Sequence, residues 1–378
     1  MDNQIIYLDN ASTSKVHPAV LESFNQITLK YFANPSSIHR LGQEGHRLLE
    51  KSREQILNLL NLKHHEVIFT SGATEANNLA IKGYAFANRG RGNHIITSEI
   101  EHPSVLNAVK QLENYGFEIT ILPVNEKGVV EVNSLKAAIK NNTILVSIMA
   151  VNNETGAINP IKEIGELLAN YPKIAFHVDA TQAIGKIDFT YDNVDMFSFA
   201  GHKIHGLLGS GALIKEKKII LEALNNGGGQ ENNNRSGTNT LALSASLAKA
   251  LRIAVNEQKD NYQRVSNLRD YLVSYLKDNP DIYKLNSFSD NPYIVNFSTL
   301  NLKASVIVEA LSNKGIMVSS LSACHSKNED YSYVVYAMNH DMKLAHNTIR
   351  VSFSYENNVD DVNAIIRGLK QIVKEIKQ

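Results

Sequence analysis

The chain alternates short apolar runs with segments of helical periodicity, and this alternation constrains its fold more than any other feature. The apolar runs that read as buried strands are EVIFTS, HIITSE, EITILPV, TILVSIMAV, IAFHVDA and DMFSFA. Helical spacing of apolar residues follows several of them, in ATEANNLAIKGYAFA, SVLNAVKQLENYG and IKEIGELLANY. Because strands that alternate with helices build βα units, the pattern predicts an α/β fold with a mostly parallel sheet.

The chain has 378 residues, which exceeds the size at which a single core keeps growing, so two domains are expected. From Thr240 to Asn279 the pattern is helical nearly throughout, which predicts one or two helices leaving the large domain. The segments after it alternate strand and helix and end in the amphipathic helix VDDVNAIIRGLKQIVKEI. We therefore predict a large domain over 15–255 and a small α+β domain formed by 1–14 and 256–378.

Composition and charge exclude several classes of function. The formal net charge is zero, which argues against nucleic-acid binding driven by phosphate neutralisation. The single cysteine excludes an intrachain disulfide and a four-cysteine metal site. The N-terminal stretch MDNQIIYLDNAST lacks a signal-peptide pattern, and the longest apolar run is too short to span a bilayer. We therefore expect a cytoplasmic protein with no membrane segment.

Four polar side chains lie just past the ends of successive apolar runs, namely His102, Asn153, Asp179 and Lys203. Taken singly, each has an ordinary explanation as a loop histidine, a turn residue, a helix N-cap or a surface lysine. In an open α/β sheet, however, the carboxyl ends of the strands converge on one crevice. The sequence therefore predicts that these four side chains share one site.

The stretch FTSGATEANN ends a strand, turns through small residues and begins a helix near Thr74. Unpaired N–H groups at a helix start attract anions such as phosphate, although an ordinary capped turn explains the stretch as well. The dinucleotide pattern GxGxxG and the P-loop pattern GxxxxGK[ST] are missing. His202 and His205 form an HxxH pair without the HExxH glutamate, so no metal site is predicted.

A phosphate cradle, an acid, a lysine and an imidazole in one crevice are the parts that pyridoxal phosphate requires. A lysine whose pKa is depressed can hold the cofactor aldehyde as a Schiff base, which is the role open to Lys203. A carboxylate such as Asp179 can keep the pyridine nitrogen protonated, so that the ring acts as an electron sink. The sequence thus indicates pyridoxal phosphate as the cofactor.

Three further features stand outside the strand ends. Arg350 lies within the apolar run NTIRVSFSY, where a buried guanidinium requires a partner such as a planar carboxylate from protein or ligand. Thr238 lies in the glycine-rich stretch GGGQENNNRSGT, which reads as an anion site or as a plain surface loop. Cys324, the only cysteine, lies in the polar stretch SLSACHSKNEDYS rather than among apolar neighbours.

Ten motifs occur together in this chain: LDNAST, NPSSIHRLG, TSGATEANNLAIKG, EHPSVL, VNNETG, HVDATQ, GHKIHG, RSGT, SAC and IRVSFS. With these motifs in the family's order, the chain resembles the class-V aminotransferase group nearly from end to end. Within that group it is similar to the cysteine desulfurases of the NifS/IscS type. The resemblance implies the transferase fold of type I, with a sheet of the seven-stranded type in the large domain and a small α+β domain that carries the cysteine loop.

The resemblance also implies roles in holding pyridoxal phosphate. Lys203 would form the Schiff base, and His102 would stack on the ring and transfer protons. Asp179 would pair with the pyridine nitrogen and Gln182 with the ring hydroxyl. The remaining implied cofactor contacts are Asn153, the phosphate ligands Ala73, Thr74 and His202, and Thr238 from the other subunit of a homodimer.

For the reaction, the resemblance implies that Asn153 and Arg350 bind the carboxylate of L-cysteine. The thiolate of Cys324 would attack the substrate sulfur, leaving a persulfide on Cys324 and releasing L-alanine. The persulfide sulfur would pass to an acceptor protein, an iron–sulfur scaffold or a tRNA-thiolation enzyme. An exposed cysteine on a polar loop suits both steps, because its thiolate must be available and its sulfur must leave.

Alternative functions remain open at this level. A selenocysteine lyase or a class-V aminotransferase would use the same cofactor, and transamination would require no thiol. A low-activity scaffold paralogue would keep the fold and the partners.

Departures from the family pattern bear on activity. Ala200 and Gln230 stand where the family usually has Ser and His. Leu207 and Leu208 replace Pro-Lys, and His325 replaces a small or hydroxyl residue.

Overall fold

The fold is seen in a computed structural model, which describes residues 5–320 and 331–376. Its strands are β1 (Ile6–Tyr7), β2 (His65–Thr70), β3 (His94–Ser98), β4 (Glu118–Leu122), β5 (Thr143–Ser147), β6 (Ala175–Asp179), β7 (Met196–Ala200), β8 (Gly211–Glu216), β9 (Tyr283–Leu285), β10 (Ile294–Thr299), β11 (Ile316–Met317), β12 (Ser319–Ser320) and β13 (Thr348–Ser352). Its α-helices are α1 (Pro18–Lys30), α2 (Arg40–Leu59), α3 (Ala73–Asn78), α4 (Tyr84–Ala87), α5 (Pro103–Glu113), α6 (Val132–Ala138), α7 (Ile161–Leu168), α8 (Leu241–Lys277), α9 (Ala304–Ser312), α10 (Tyr333–Asn339), α11 (Met342–His346) and α12 (Val359–Ile376).

Within the described residues, a seven-stranded sheet has the order β2-β8-β7-β6-β5-β3-β4. The pairs from β7 through β4 are parallel, whereas β8 runs antiparallel to both β7 and β2. The prediction of an α/β fold with a mostly parallel sheet is therefore confirmed, and all six apolar runs form strands of this sheet. Strand β8 was not among the predicted strands.

The large sheet is covered on both faces, which is why its strands read as continuous apolar runs. Because successive side chains of a strand point to opposite faces, neighbouring residues enter different cores. Ile96, Val146 and Phe176 pack in a core with α2 and α8, whereas their neighbours Ile95 and Leu145 pack in a core with α3 and α5.

The C-terminal part of the chain forms a second, antiparallel sheet with the order β12-β13-β10-β9. Strand β1 pairs in parallel with β11, and Asp9 forms a bridge to Ser352 of β13, so the start of the chain lies against these later elements. A separate hydrophobic core fills this region. The boundaries 1–14, 15–255 and 256–378 stay a prediction.

The long helical pattern, which predicted one or two helices, forms a single helix of 37 residues, α8. At about 1.5 Å per residue it extends roughly 55 Å. Leu247 and Leu251 in its first half pack in the core of the large sheet, whereas Leu268 and Leu272 in its second half pack in the C-terminal core. The helix therefore fixes the two parts of the chain to each other. Among the described residues, no helix is both long and apolar enough to cross a membrane.

Candidate active site

A cavity of about 510 Å³ opens at the carboxyl edge of the large sheet. The turns that follow β2, β3, β5, β6 and β7 surround it, as expected where strand ends meet. The predicted residues that line it are Ala73, Thr74, His102, Asn153, Asp179, Gln182, His202, Lys203 and Arg350. Thr238 is exposed and lies outside this lining, and Cys324 lies outside the described residues.

Lys203 ends a short 3-10 turn that directly follows β7. Its Nζ donates hydrogen bonds to the backbone oxygens of Ala11, at 2.6 Å, and Ser12, at 2.5 Å. The segment after β1 therefore lies directly beside the lysine. Neutral backbone oxygens hold the amine at the cavity wall, which suits a lysine that reacts with an aldehyde.

His202 precedes the lysine on the same turn and is half-buried. Burial, reinforced by the positive charges of Lys203 and Lys186, lowers the pKa of His202 to about 4. The imidazole is therefore neutral at physiological pH. It can offer an anion a hydrogen bond but no positive charge.

Asp179 is the last residue of β6 and is buried. Its Oδ1 accepts a hydrogen bond from the backbone N–H of Thr181 at 3.0 Å, and its Oδ2 accepts one from Asn77 Nδ2 at 2.8 Å. His177 lies two residues earlier, on the same side of the strand. Burial lowers the pKa of His177 to about 4 against the opposing effect of Asp179, so a neutral ring lies beside the carboxylate.

His102 is the N-cap of α5, which begins with Pro103. Proline is favoured at the first helical position because its missing N–H would have no partner there. The backbone N–H of Ser104 donates to His102 Nδ1 at 3.1 Å, and the Ser104 hydroxyl lies 2.8 Å from the same nitrogen. The helix start therefore fixes the orientation of the imidazole in the cavity wall.

The turn between β2 and α3 passes very close to β8. A Cβ added to Gly211 would lie 2.6 Å from Gly72 Cα, whereas one added to Gly72 would meet only open space within 4 Å. Glu75 accepts hydrogen bonds from Ser71 N at 2.7 Å and from Arg235 Nε at 2.6 Å. Burial raises the pKa of Glu75, but these bonds prevail and hold it below its usual value. An ionised Glu75 thus fixes the turn.

Gln182 has both ends of its amide engaged. Its Nε2 donates to the Ala11 oxygen at 2.9 Å, and its Oε1 accepts from Lys186 Nζ at 2.8 Å. Burial lowers the pKa of Lys186 to about 7, with further lowering from Lys203 and Arg350. Lys186 was not predicted as a site residue, because a lysine after Ala-Ile-Gly reads as an ordinary surface residue.

Arg350 lies on β13 and is only 3% exposed. It joins three segments, because Nη1 donates to the Asn153 oxygen at 2.9 Å while Nη2 donates to Asp9 Oδ1 at 2.8 Å and Ser12 Oγ at 2.5 Å. Arg350 Nε and Asn153 Oδ1 are buried without a hydrogen-bond partner among the described residues. Both side chains line the cavity and retain capacity for a ligand.

These residues fit pyridoxal phosphate. A lysine amine, a buried carboxylate and an imidazole face one cavity, and a turn without a Cβ at Gly72 leaves room for a phosphate. Thr181 Oγ1 and Asn153 Oδ1 are buried polar atoms of the cavity lining with no partner among residues 5–320 and 331–376. Buried polar atoms normally find partners, so unsatisfied atoms in a cavity indicate a polar ligand.

Two buried glutamates lie at the contacts between the turns around the cavity and the start of α10. Neither was predicted from the sequence to be a functional acid. Glu101 and Glu154 follow β3 and β5, and burial raises their pKa values to about 8 and about 7, respectively. The Ser332 hydroxyl donates to the carboxyl Oε2 of Glu154 at 2.5 Å, and the Tyr333 hydroxyl donates to the backbone oxygen of Glu101 at 2.6 Å. The residues just after the undescribed segment are therefore fixed to the turns that carry His102 and Asn153.

The model of the family described as Aminotransferase class-V matches residues 6–365. A relative named NifS/IcsS protein homolog, from Lactobacillus delbrueckii subsp. bulgaricus, is 42% identical over 99% of this chain and 98% of its own length. A protein named cysteine desulfurase IscS, from Dictyoglomus turgidum, is 40% identical over 98% of this chain and 95% of its own length.

Solved structures are similar over most of the chain as well. One described as a NifS-like protein has a TM-score of 0.91 at 33% identity and covers 98% of this chain and 100% of its own. DndA from Streptomyces lividans has a TM-score of 0.77 at 32% identity and covers 92% of this chain and 99% of its own. The similarity thus includes both sheets and the cavity between their elements.

Proposed function

The chain belongs to the class-V aminotransferase family, and from this premise we propose that it is a pyridoxal-phosphate-dependent cysteine desulfurase of the NifS/IscS type. The observation that carries the proposal is the convergence of Lys203, Asp179, His102 and Arg350 on one cavity. The substrate is L-cysteine and the products are L-alanine and a persulfide on Cys324. Relatives named cysteine desulfurase IscS, which match 98–100% of this chain at 37–40% identity, support the same activity.

Lys203 holds the cofactor through its amine, and Asp179 pairs with the ring nitrogen. Thr74, the backbone of Ala73 and the neutral His202 bind the phosphate. Bound pyridoxal phosphate supplies an electron sink that stabilises negative charge on the substrate α-carbon. His102 covers the ring and carries a proton at Nε2, because its Nδ1 accepts from the Ser104 N–H.

Arg350 and Asn153 orient the substrate by its carboxylate, to which the buried, partnerless Arg350 Nε and the Asn153 amide NH₂ group can donate. The Cys324 thiolate attacks the substrate sulfur, so an S–S bond forms as the substrate C–S bond breaks. The electron pair of the broken bond stays with the carbon skeleton, which takes up a proton and leaves as L-alanine. A nucleophilic thiol is essential to this sequence, whereas transamination needs none.

The purified protein should release equimolar L-alanine and sulfide from L-cysteine in the presence of a reductant. Cys324→Ala should keep the visible absorbance of bound cofactor but lose alanine release, and Lys203→Ala should lose the absorbance of the Schiff base. Alanine release by Cys324→Ala at the wild-type rate would exclude the persulfide step. Conversion of an added oxo acid to its amino acid without release of sulfide would identify an aminotransferase, and faster turnover of selenocysteine would identify a lyase.

We also propose that the protein is a homodimer in which Thr238 reaches the cofactor site of the other subunit. Thr238 is exposed on its own chain, in keeping with a role in a second copy. Strongly exposed apolar side chains occur on and after α1, with Leu29 at 81%, Phe32 at 76% and Ile38 at 92% exposure. Ile38 lines a surface groove together with Gln230 and Asn239 of the Thr238 loop. Large exposed apolar patches of this kind are typical of association surfaces.

The dimer is tested by measuring molar mass in solution for the wild type and for Ile38→Asp. Ile38→Asp should dissociate at concentrations where the wild type is a dimer, and the dissociated protein should lose cofactor. Phe288→Asp provides the control, because Phe288 is also exposed and apolar and does not line this groove. A wild-type monomer that retains full activity would contradict the proposal.

We propose, finally, that the protein acts in the cytoplasm and passes the Cys324 sulfur to an acceptor protein of iron–sulfur cluster assembly or tRNA thiolation. The relatives named IscS support this direction of sulfur flow. Loading the enzyme with ³⁵S-labelled L-cysteine and adding candidate acceptors would identify the acceptor by label transfer. Transfer that persists in Cys324→Ala would contradict the route through this cysteine.

A further inference from the structure

We propose that Asn77 and Ser104 are positioning residues that tie His102 to Asp179 through a continuous chain of hydrogen bonds and thereby set which ring nitrogen of His102 carries the proton. Asn77 belongs to α3 and Ser104 to the first turn of α5. The inference rests on the proposed function, since it concerns how the same site is prepared for proton transfer. Neither residue was singled out by the sequence.

Asn77 is completely buried, at 0% exposure, between the two functional side chains. Its Nδ2 donates to Asp179 Oδ2 at 2.8 Å and to Ser104 Oγ at 2.9 Å. The Ser104 hydroxyl lies 2.8 Å from His102 Nδ1. Each of these distances is that of an ordinary hydrogen bond, so the chain from carboxylate to imidazole is unbroken.

The donors and acceptors of this chain can be ordered from Asp179 to His102, with the Ser104 N–H, which donates to His102 Nδ1, fixing the direction of the last bond. A carboxylate accepts hydrogen bonds, so the amide of Asn77 turns its NH₂ group toward Asp179. The second hydrogen of that NH₂ group points to Ser104 Oγ. Having accepted there, the Ser104 hydroxyl directs its single proton to His102 Nδ1. The assignment follows from the network, as it must for hydrogens that are placed by their partners.

The backbone N–H of Ser104 gives a second, independent constraint on the same nitrogen. It donates to His102 Nδ1 at 3.1 Å, and a backbone N–H cannot reverse its direction. His102 Nδ1 is thus an acceptor, and the neutral ring carries its proton on Nε2. Through Asn77 and Ser104, the charge of Asp179 reinforces this tautomer.

The amide of Asn77 also carries an oxygen atom whose burial is energetically unfavourable. Its Oδ1 is buried and has no partner among the described residues. An apolar side chain of similar size would avoid an unsatisfied acceptor, which is costly in a protein interior. An asparagine retained there is explained by its NH₂ group, which reaches Asp179 and Ser104 together. Packing alone does not require it.

The test uses the holoenzyme and the matched pair Ser104→Ala and Ser104→Thr. Ser104→Ala should lower kcat by about 10- to 100-fold, as expected for loss of a hydrogen bond that orients a functional group. Its KM for L-cysteine should change little, and its pH–rate profile should shift. Ser104→Thr keeps the hydroxyl and should restore activity. Asn77→Ala should behave as Ser104→Ala does.

The neighbouring Asn78 supplies a control for Asn77, because its Nδ2 donates to the Thr74 oxygen rather than to Asp179. Asn78→Ala should keep the wild-type pH profile. If Asn77→Ala does not fold, the Ser104 pair decides the question alone. Equal kcat and the same pH profile for Ser104→Ala and Ser104→Thr would overturn the proposal.

The tautomer of His102 can also be measured directly, without enzymatic turnover. In protein labelled with ¹⁵N-histidine, the His102 signals are identified by their loss in His102→Gln. The wild type and Ser104→Thr should show a protonated Nε2 and an accepting Nδ1, whereas Ser104→Ala, which keeps only the backbone N–H donor at 3.1 Å, should show a larger share of the Nδ1-protonated tautomer. An unchanged tautomer in Ser104→Ala would refute the relay even if desulfurase activity is present. Lack of alanine release by the wild type would refute the function while this measurement still tests the relay.

Discussion

Arg350 donates from Nη2 to Asp9 Oδ1 at 2.8 Å, which ties a strand near the end of the chain to a carboxylate near its start. From its place in an apolar run, this buried guanidinium is predicted to require a partner such as a planar carboxylate from protein or ligand. The protein supplies one such carboxylate on the Nη2 side, and Ser12 Oγ shares that nitrogen. Nε is left buried without a described partner, on a residue that lines the cavity.

Arg350→Lys should therefore weaken substrate binding more than folding. A lysine keeps the charge but has no planar fork, so it cannot serve Asp9 and a substrate carboxylate together. We expect KM for L-cysteine to rise by about tenfold or more, in line with roughly 1.5–3 kcal/mol for a hydrogen bond to a charged group. Asp9→Asn, which keeps the shape and removes the charge, is the control and should raise KM less. An unchanged KM in Arg350→Lys would place the substrate carboxylate elsewhere.

Ala200→Ser should tighten cofactor binding. Ala200 is the last residue of β7, lines the cavity and precedes His202 by two residues, and the family usually has Ser at its position. One added neutral hydrogen bond to the phosphate is worth about 0.5–1.5 kcal/mol, or roughly a 2- to 13-fold lower dissociation constant. Equilibrium dialysis of pyridoxal phosphate against the apoprotein measures this change. Ala212→Ser, at a buried position of β8 outside the cavity lining, serves as the control.

Glu154→Gln should remove a pH dependence of stability. Burial raises the pKa of Glu154 from 4.5 to about 7, against the lowering effects of Ser332 and Arg350. The folded state thus binds this proton more tightly than the unfolded state, so the stabilising contribution is complete below pH 4.5 and is lost as pH rises to about 7. The loss amounts to roughly 3 kcal/mol at most, at about 1.36 kcal/mol per pKa unit.

Urea unfolding of the wild type and Glu154→Gln between pH 5 and pH 8, to span roughly the titration range, measures this difference. The free energy of unfolding of the wild type should fall relative to that of the variant as pH rises. Glu101 has a pKa raised to about 8 by burial and contributes in the same direction to both proteins, so it cancels in the comparison. Parallel pH profiles for the two proteins would show that Glu154 does not titrate in this range.

The strands of the large sheet could be predicted because both of their faces are buried. Strand β8 is buried as well, but it was missed because Lys215 interrupts its apolar pattern and pairs with Glu66. Helix α2 was not predicted either, because it buries glycines and Arg53 together with Leu49 and Ile56. At Gly42, for instance, a Cβ would lie 2.3 Å from the Ser37 oxygen.

Some residues of the candidate active site could be predicted from the sequence and others could not. Lys203, Asp179 and His102 could be predicted because each follows an apolar strand, where the fold gathers ligand groups. Asn77 was missed because it lies within helix α3 and its partners come from distant parts of the chain. Lys186 was missed because it lies in the turns between β6 and β7, where a lysine reads as a surface residue. Asn77 reaches Asp179 across 102 positions in sequence, which no local pattern indicates.

Glu231→Gln should destabilise the loop that carries Thr238. Arg53 donates to Glu231 in a bidentate arrangement, from Nη1 at 2.7 Å and from Nη2 at 2.8 Å, and Phe69 N donates to the same carboxylate at 2.8 Å. The loop also holds three successive residues at positive φ, at 51°, 54° and 64° for Glu231, Asn232 and Asn233. Positive φ is unfavourable for residues with a side chain, so tertiary contacts must hold this turn.

Breaking a buried ion pair costs up to about 3–5 kcal/mol, and without Glu231 the Arg53 guanidinium keeps only the Glu50 carboxylate, 3.0 Å from its Nε, as an ionic partner among the described residues. We therefore expect Glu231→Gln to lower the free energy of unfolding by that amount, measured by urea titration of the apoprotein. The double variant Arg53→Met with Glu231→Leu removes both charges and should lose less than Glu231→Gln alone. Because the same loop carries Thr238, Glu231→Gln should also release pyridoxal phosphate faster than the wild type. A single variant as stable as the double one would show that the ion pair does not hold the loop.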